Sequence, residues 1–268
     1  MYAEARIDRR VAAAMERVLI IDAQPAATRL LSGLLRDISP CQIWSTANVY
    51  GALGLAERVD PRIVFVTKSE SVDGGALARQ LRRSDLPCRR APLIMIGAEA
   101  TAATIIGARD AGVHEFLRKP FTRGELVKRL EAVAVRPRDW IEGIGYIGPD
   151  RRRFNSAAYS GALRRRMDHA VTPDEGRIEQ ALKILKIALD VIGEDPRQAL
   201  RAMRAQASDL AQLAASRQDG DLAASAIALN VTLAAATPRT LRRAEIEPPA
   251  APLLARLVAA MPGRRTAA

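Results

Sequence analysis

The apolar residues of this chain fall into two rhythms. Between Arg17 and about Val135, short apolar runs alternate with stretches in which apolar positions return every three or four residues. The runs VLIID (18–22), CQIWST (41–46), RIVFVT (62–67), PLIMIG (92–97) and HEFLRK (114–119) are rich in β-branched and aromatic residues, and their length predicts strands. The helical pattern occupies 25–38, 49–59, 74–84, 101–111 and 122–135. Regular alternation of this kind predicts right-handed βαβ units, and so an α/β domain with a five-stranded parallel sheet covered by helices on both faces. In such sheets the working residues stand just beyond the carboxyl ends of the strands.

The second rhythm is purely helical. Thr172, Pro173 and Glu175 read as an N-cap, a first helical position and a first-turn acid. Ile178, Leu182, Leu185, Leu189 and Ile192 then follow at steps of four and three. A second helix from about Pro196 carries Leu200, Met203, Ala207, Leu210 and Ala214, and a third from 221 to 236 carries Leu222, Leu229 and Leu233. After a proline-broken stretch, Leu253, Leu254, Leu257, Val258 and Met261 predict a last short helix. Short turns between them imply antiparallel neighbours and a small all-α bundle. Wide, partly alanine stripes suit close packing or dimerisation through one face.

Between the two lies RPRDWIEGIGYIGPDRRRFNSAAYSGALRRRMDHA (136–170), broken by Pro137, Gly143, Gly145, Gly148 and Pro149. It carries eight arginines against four acids, together with Trp140, Tyr146, Phe154 and Tyr159, a mixture unlike that of a slack linker. The expected organisation is an N-terminal extension (1–16), the α/β domain (17–135), an irregular arginine-rich arm (136–170), the bundle (171–262) as an interaction or dimerisation domain, and a tail (263–268).

Composition supports two domains of different kind, because every aromatic residue lies at or before Tyr159 in a chain of 268. A net charge of +11 and a pI near 10.5 favour acidic partners such as nucleic acid, a nucleotide or an anionic protein surface. The competing reading is a set of solvated basic faces. The first residues lack the apolar core of a secretion signal and no later run could cross a bilayer, so a cytoplasmic protein without membrane insertion is expected. Cys41 and Cys88 have neither metal-ligand nor redox spacing. Clustered acids, a nucleophile with its base, metal ligands and a P-loop are all missing, so neither catalysis nor a resident metal or cofactor is expected.

Two stretches make the first domain more specific. VLIIDAQPAATRLLSGLLR, followed by DAGVHEFLRKPFT with its Ala-Gly-x-x-x-Phe-x-x-Lys-Pro-Phe run, resembles the bacterial response-regulator receiver (CheY-like) domain, of flavodoxin-like fold, over 17–135. The VDGG after the third strand agrees. The resemblance implies a phosphoryl-accepting aspartate at the end of strand three, an acidic pair after strand one that holds magnesium, a Ser or Thr ending strand four and a Lys ending strand five. Developing charge on phosphoryl oxygens needs a divalent cation, an ammonium group and a hydroxyl donor at fixed positions.

Asp22 and Lys119 match that pattern. Ala23 stands where the second acid belongs, Gly97 replaces the hydroxyl residue, and Thr67 (or Val66, if the loop is shortened differently) replaces the acceptor. Glu70 and Asp73 follow on the loop, beyond reach of Lys119. The chain therefore reads as a pseudo-receiver in which Asp22 and Lys119 pair and the missing third partner leaves a small polar gap. Modification of Thr67 by a separate kinase is a weaker reading.

Phe116 matches the aromatic position whose packing reports the switched state in that family. The family's usual partner face, built on the fourth helix, fifth strand and fifth helix, would here carry Arg109, His114, Arg118, Arg123 and Lys128. A solvated basic surface is the alternative, and His114 taken alone reads as a surface residue. The Tyr-x-Gly-Pro-Asp-Arg-Arg run of Tyr146, Gly148, Pro149, Asp150, Arg151 and Arg152 resembles a recurrent tail on receiver-like proteins. Arginine can fork onto phosphate and aromatic rings can stack on bases. Tyr146, Asp150, Arg151, Arg152 and Arg153 are thus a candidate phosphate or nucleotide site, with cyclic di-guanylate (cyclic di-GMP) as the ligand that related arginine-rich tails suggest. Alternatively, GYIGPDRRR straps back along the receiver, with Tyr146 and Ile147 in an apolar groove.

The leading expectation is a noncatalytic signalling adaptor that binds signalling or structural proteins independently of phosphorylation, with a homodimer through the bundle. A cyclic-di-GMP effector and a nucleic-acid-binding regulator are the alternatives. The bundle also invites comparison with histidine phosphotransfer modules, but His169 precedes it and no histidine lies within it.

Overall fold

The structure is a computed structural model that describes residues 8–69, 72–151 and 173–259. These fall into two compact units, one of residues 8–141 with 146–151, the other of residues 142–145 with 173–259.

In the first unit the strands are β1 (Arg17–Ile21), β2 (Gln42–Thr46), β3 (Ile63–Thr67), β4 (Leu93–Gly97) and β5 (Glu115–Arg118). They form one parallel sheet in the order β2-β1-β3-β4-β5. The helices are α1 (Arg9–Ala14), α2 (Pro25–Ile38), α3 (Val49–Val59), α4 (Gly74–Arg83), α5 (Ala102–Asp110) and α6 (Arg123–Ala134). This is the flavodoxin-like arrangement expected from the alternation.

Because successive strand residues point to opposite faces, the continuous apolar runs fill two separate cores. Leu19, Ile21, Val64, Val66, Leu93, Met95 and Phe116 face α3, α4 and α5, where Ala52, Ala56, Leu77, Leu81 and Ala108 meet them. Val18, Ile20, Ile63, Phe65, Ile94, Ile96 and Leu117 face the other way, onto Leu31, Leu35, Leu126 and Leu130 of α2 and α6. Burial on both faces is why these strands read as unbroken apolar runs. A capping box fixes the start of α6, with Thr122 and Glu125 each bonding the other's backbone amide.

The N-terminal extension contributes more than a leader to this unit. Asp8 caps α1, and Val11 and Met15 are fully buried against the α2–α6 core. The signal was present, as two apolar residues four apart behind an Asp, but six helical residues are too few to read from periodicity.

The expected irregular arm also holds regular structure. Residues Trp140–Glu142 (β6) and Ile147–Pro149 (β7) pair as a two-stranded ribbon. Its strands are too short, and its glycines too frequent, to announce it in the sequence.

The second unit is a bundle of α7 (Pro173–Asp190), α8 (Pro196–Arg217), α9 (Gly220–Ala235) and α10 (Arg243–Ala259). Leu182, Leu185, Leu189, Leu200, Met203, Leu210, Leu222, Leu229 and Leu233 share its core. Asp195 and Asp219 cap α8 and α9, and Asp219 also takes a forked ion pair from Arg256 at 2.7 and 3.0 Å. The segment 142–145 joins this unit through buried amides. Gln198 donates to the Glu142 carboxylate and to Gly143 O, and Gln206 donates to Glu142 O.

The last helix corrects the sequence reading. It is 17 residues long and runs through Pro248, Pro249 and Pro252. Three missing amides should break it, yet Ile246, Ala250, Leu253 and Leu257, spaced by four, three and four, are all buried. Their burial, at roughly 1.5–3 kcal/mol for each large side chain, outweighs the lost bonds. Thr172, the expected cap of α7, lies outside the described residues, as does the tail from 260. Among the described residues no helix is long and apolar enough to cross a membrane.

Candidate functional site

The site expected at the carboxyl ends of the strands is assembled from three of them. Asp22 follows β1, Thr67 ends β3, and Lys119 follows β5, held by its amide on Gly97 O and leading into a cis Lys119–Pro120 bond. The Asp22 side chain is 5 % exposed and fully occupied. One carboxylate oxygen, Oδ1, accepts from the Gln24 amide at 2.8 Å. The other, Oδ2, accepts from the Thr67 hydroxyl at 2.6 Å and pairs with Lys119 Nζ at 3.5 Å.

The polar gap expected beside the Asp22–Lys119 pair is thus taken by Thr67, whose hydroxyl supplies the third partner. A threonine can do this because it donates. An aspartate in its place could only accept when ionised, and would face Asp22 as a like charge.

Ala23 adds no oxygen, and Asp73 is committed elsewhere, capping α4 through the Gly75 and Ala76 amides at 3.0 and 2.9 Å. Glu70 lies outside the described residues. Among the described residues no group of three metal-ligating side chains comes together. One carboxylate with both oxygens engaged is a poor start for the six oxygen ligands that magnesium takes.

Gly97, at the end of β4, leaves room that Phe116 fills. The Phe116 ring is buried at 2 % exposure, and a Cβ built on Gly97 would lie 2.9 Å from its Cζ. Around β5, Arg118, Arg123 and Lys128 are exposed, Arg109 pairs with the neighbouring Asp110 at 3.0 Å, and Arg123 reaches Asp37 O at 3.4 Å. The flanking helices of that surface are α5 and α6, since α1 shifts the count by one.

His114 is not a surface residue. It is buried, and burial together with Arg82 and Arg138 holds its pKa well below the usual histidine value. Its Nδ1 accepts from the Leu93 amide and from Arg82 Nη2, which assigns the proton to Nε2.

Arg82 is the centre of a second cluster, at the opposite, amino-terminal end of β4 and β5. It is 1 % exposed and donates to Gly112 O, Arg89 O and Ala91 O as well as to His114. Desolvation pushes its pKa down to about 9. The guanidinium groups of Arg82, Arg89 and Arg90 lie 5.3, 5.9 and 5.5 Å from the Trp140 ring centre, within cation–π range.

The arm closes over this cluster. Arg138 donates to His114 O and Asp150 O. The Tyr146 hydroxyl donates to Pro149 O at 2.6 Å, and burial raises its pKa to about 12. Arg151 stacks on the Tyr146 ring at 4.5 Å and pairs with Asp110 at 3.2 Å. Gly148 (φ 154°) crosses Gly112 (φ 83°) so closely that a Cβ on Gly148 would come 2.7 Å from the Gly112 Cα.

Tyr146, Gly148, Pro149, Asp150 and Arg151 therefore each have a structural task in fastening residues 138–141 and 146–151 within the first unit. Arg152 and Arg153 lie outside the described residues. The sequence offered one hint of Arg82: it falls on the buried stripe of α4 beside Leu77, Ala78 and Leu81.

The comparisons with known proteins concern the first unit. Residues 18–131 match the family model described as response regulator receiver domain. The chain is 29% identical to chemotaxis protein CheY-3 of Vibrio cholerae over 118 residues, 44% of this chain and 90% of that protein. It is 29% identical to chemotaxis protein CheY of Pseudomonas aeruginosa over 120 residues, 44% and 94% of the two chains. Among solved structures, a putative response regulator from Chloroflexus aurantiacus aligns with a TM-score of 0.42 and 24% identity, over 45% of this chain and 99% of that one.

Proposed function

We propose, from the premise that residues 18–131 form a response regulator receiver domain, that this protein is a noncatalytic signalling adaptor whose receiver works without aspartyl phosphorylation. The observation that carries the reading is the Thr67 Oγ1 to Asp22 Oδ2 hydrogen bond of 2.6 Å. It stands where phosphoryl transfer would need a free carboxylate nucleophile and a vacant cation site. Lys119, the one cationic group retained, is drawn onto the same Asp22 oxygen, which makes the triad a self-satisfied structural unit.

Contact with signalling or structural proteins is then the remaining activity, and the exposed Arg118, Arg123 and Lys128 beside β5 favour an acidic partner surface. The arm's fit to the receiver supports the strap reading over a nucleotide site, since Tyr146 and Arg151 are engaged by Pro149 O and Asp110. The bundle is read as an interaction or dimerisation domain.

The test is incubation of the full chain with acetyl phosphate and magnesium, followed by intact-mass measurement and by alkaline treatment, which removes acyl phosphates. No added phosphoryl group is expected. A labile phosphoryl group on any aspartate of the receiver would overturn the reading.

A further inference from the structure

The outer face of α9 differs from the outer faces of the other helices in its unit. Elsewhere charged residues interrupt the exposed positions: Lys183 and Lys186 beside Ile187 on α7, Arg197 and Arg204 on α8, Glu245 and Glu247 among the alanines and prolines of α10. On α9 the exposed positions after Asp221 are Ala224, Ile227, Ala228, Val231, Ala234 and Ala235, and no charged residue occurs from Leu222 to Pro238. Ile227 is 55% and Val231 68% exposed. At 100° per residue these six positions lie on one side of the helix, opposite the buried Leu222, Ala226, Leu229 and Leu233. A helix apolar all round is ordinarily covered on both sides.

The charged residues that border the two ends of this face differ, with Asp221 at the amino end near Arg217 and Arg256 and arginines alone just beyond the carboxyl end. Asp221 is exposed at its amino end, on the same side as Ala224, and Arg239 and Arg242 are exposed just beyond its carboxyl end. The helix dipole has the reverse polarity, positive at the amino end.

We propose that the outer face of α9 is a dimer interface with a second copy of this chain, the two α9 helices packing antiparallel about a two-fold axis near Ala228. Antiparallel pairing sets the Asp221 end of one helix beside the Ala235–Arg239 end of the other. Acid meets base at both ends, and the two dipoles oppose. The contact is isologous, as a two-fold dimer requires. Alanines at 224, 228 and 235 let the helix axes approach to the close end of the usual 8–10 Å, while Ile227 and Val231 fill the flanking grooves. A differently charged partner would not need a neutral face with an acid at one end and arginines alone beyond the other.

The proposal deepens the interaction role given to the bundle and owes nothing to the acceptor triad, so the two fail separately. The experiment is sedimentation velocity of the full 29.0 kDa chain from about 1 to about 100 μM, the range that reads a micromolar Kd. A concentration-dependent rise to twice the chain mass is expected. Ala228→Glu sets two carboxylates against each other at the axis and should raise the Kd at least about tenfold, with helix content by circular dichroism unchanged.

Charge exchange at exposed ends guards against a variant that fails to fold. Asp221→Arg should weaken the dimer, and adding Arg239→Asp should restore it. A wild-type chain that stays monomeric throughout would leave the face to some other protein and overturn the proposal. A folded Ala228→Glu dimer of undiminished affinity, or no restoration by the double exchange, would overturn it equally.

Discussion

Gly97 and Phe116 share one space: a Cβ on Gly97 would lie 2.9 Å from the Cζ of the Phe116 ring, which is itself 2% exposed. The glycine that ends strand four and the inward aromatic of strand five are therefore one feature. Gly97→Ser is expected to drive the ring outward or to cost about 1–3 kcal/mol by overpacking. Phe116→Leu, which shortens the side chain, should recover most of that loss in the double variant. Urea denaturation of the four proteins checks this. Additive effects, with no coupling of at least about 0.5 kcal/mol, would show that the two residues do not compete.

The acceptor triad makes a prediction of opposite character, a gain of chemistry. Thr67→Asp alone replaces a donor by a second carboxylate against Asp22, and should destabilise the receiver by about 1–3 kcal/mol near neutral pH. Combined with Ala23→Asp, it supplies three acids at the ends of β1 and β3. Magnesium should then raise the melting temperature of the double variant, because a cation that binds the folded state stabilises it by mass action, and leave the wild type unmoved. Equal magnesium responses in the two proteins would refute the assignment of positions 23 and 67.

How legible these sites were depended on the distance over which each signal acts. The five strands and their helices follow from short apolar runs and periodicity, which are local, and Asp22 and Lys119 stand where strand ends put them. That Thr67 would turn its hydroxyl onto Asp22, 45 residues away, needed the sheet order. Arg82 is harder still: an arginine inside an α4 that otherwise buries Leu77, Ala78 and Leu81 reads as a break in the stripe. Its acceptors, Gly112 O, Arg89 O and Ala91 O, are backbone atoms with no signature in the sequence. His114 was misread for the same reason. The prolines of α10 misled because the rule against them is local and the core that overrides it is not.

The crossing of Gly112 and Gly148 predicts that the strap can be released without touching the acceptor triad. Gly112→Ala adds a Cβ 2.6 Å from Ile147 O at a φ of 83°, where a side chain is disfavoured as well as blocked. A loss of about 2–4 kcal/mol is expected. Trp140 offers a direct readout, since leaving Arg82, Arg89 and Arg90 should expose its indole and shift its emission to longer wavelength. Trp44, on β2, is the other tryptophan, so the measurement is made in a Trp44→Phe background. Emission that does not move while stability falls would show that the glycine matters to the receiver alone.

Arg82 and His114 together set a dependence on acid. The His114 pKa is lowered well below 6.5, chiefly by burial and then by Arg82 and Arg138, so on acidification the unfolded chain takes up a proton that the folded chain refuses. Its contribution to stability is complete above the unfolded value of about 6.5 and is lost as pH falls from there towards the folded pKa, at up to about 1.4 kcal/mol per pH unit. Arg82, at about 9, keeps its proton throughout this window. Glu115, raised by desolvation against the pull of Arg129, acts in the opposite sense, with stability present below its unfolded value near 4.5 and lost as pH rises through the folded value. Urea denaturation of wild type and His114→Gln between pH 7.5 and 5.5 separates them, because Glu115 and His169 are common to both proteins. The wild type should lose stability more steeply than the variant, and parallel pH profiles would remove His114 as the titrating group.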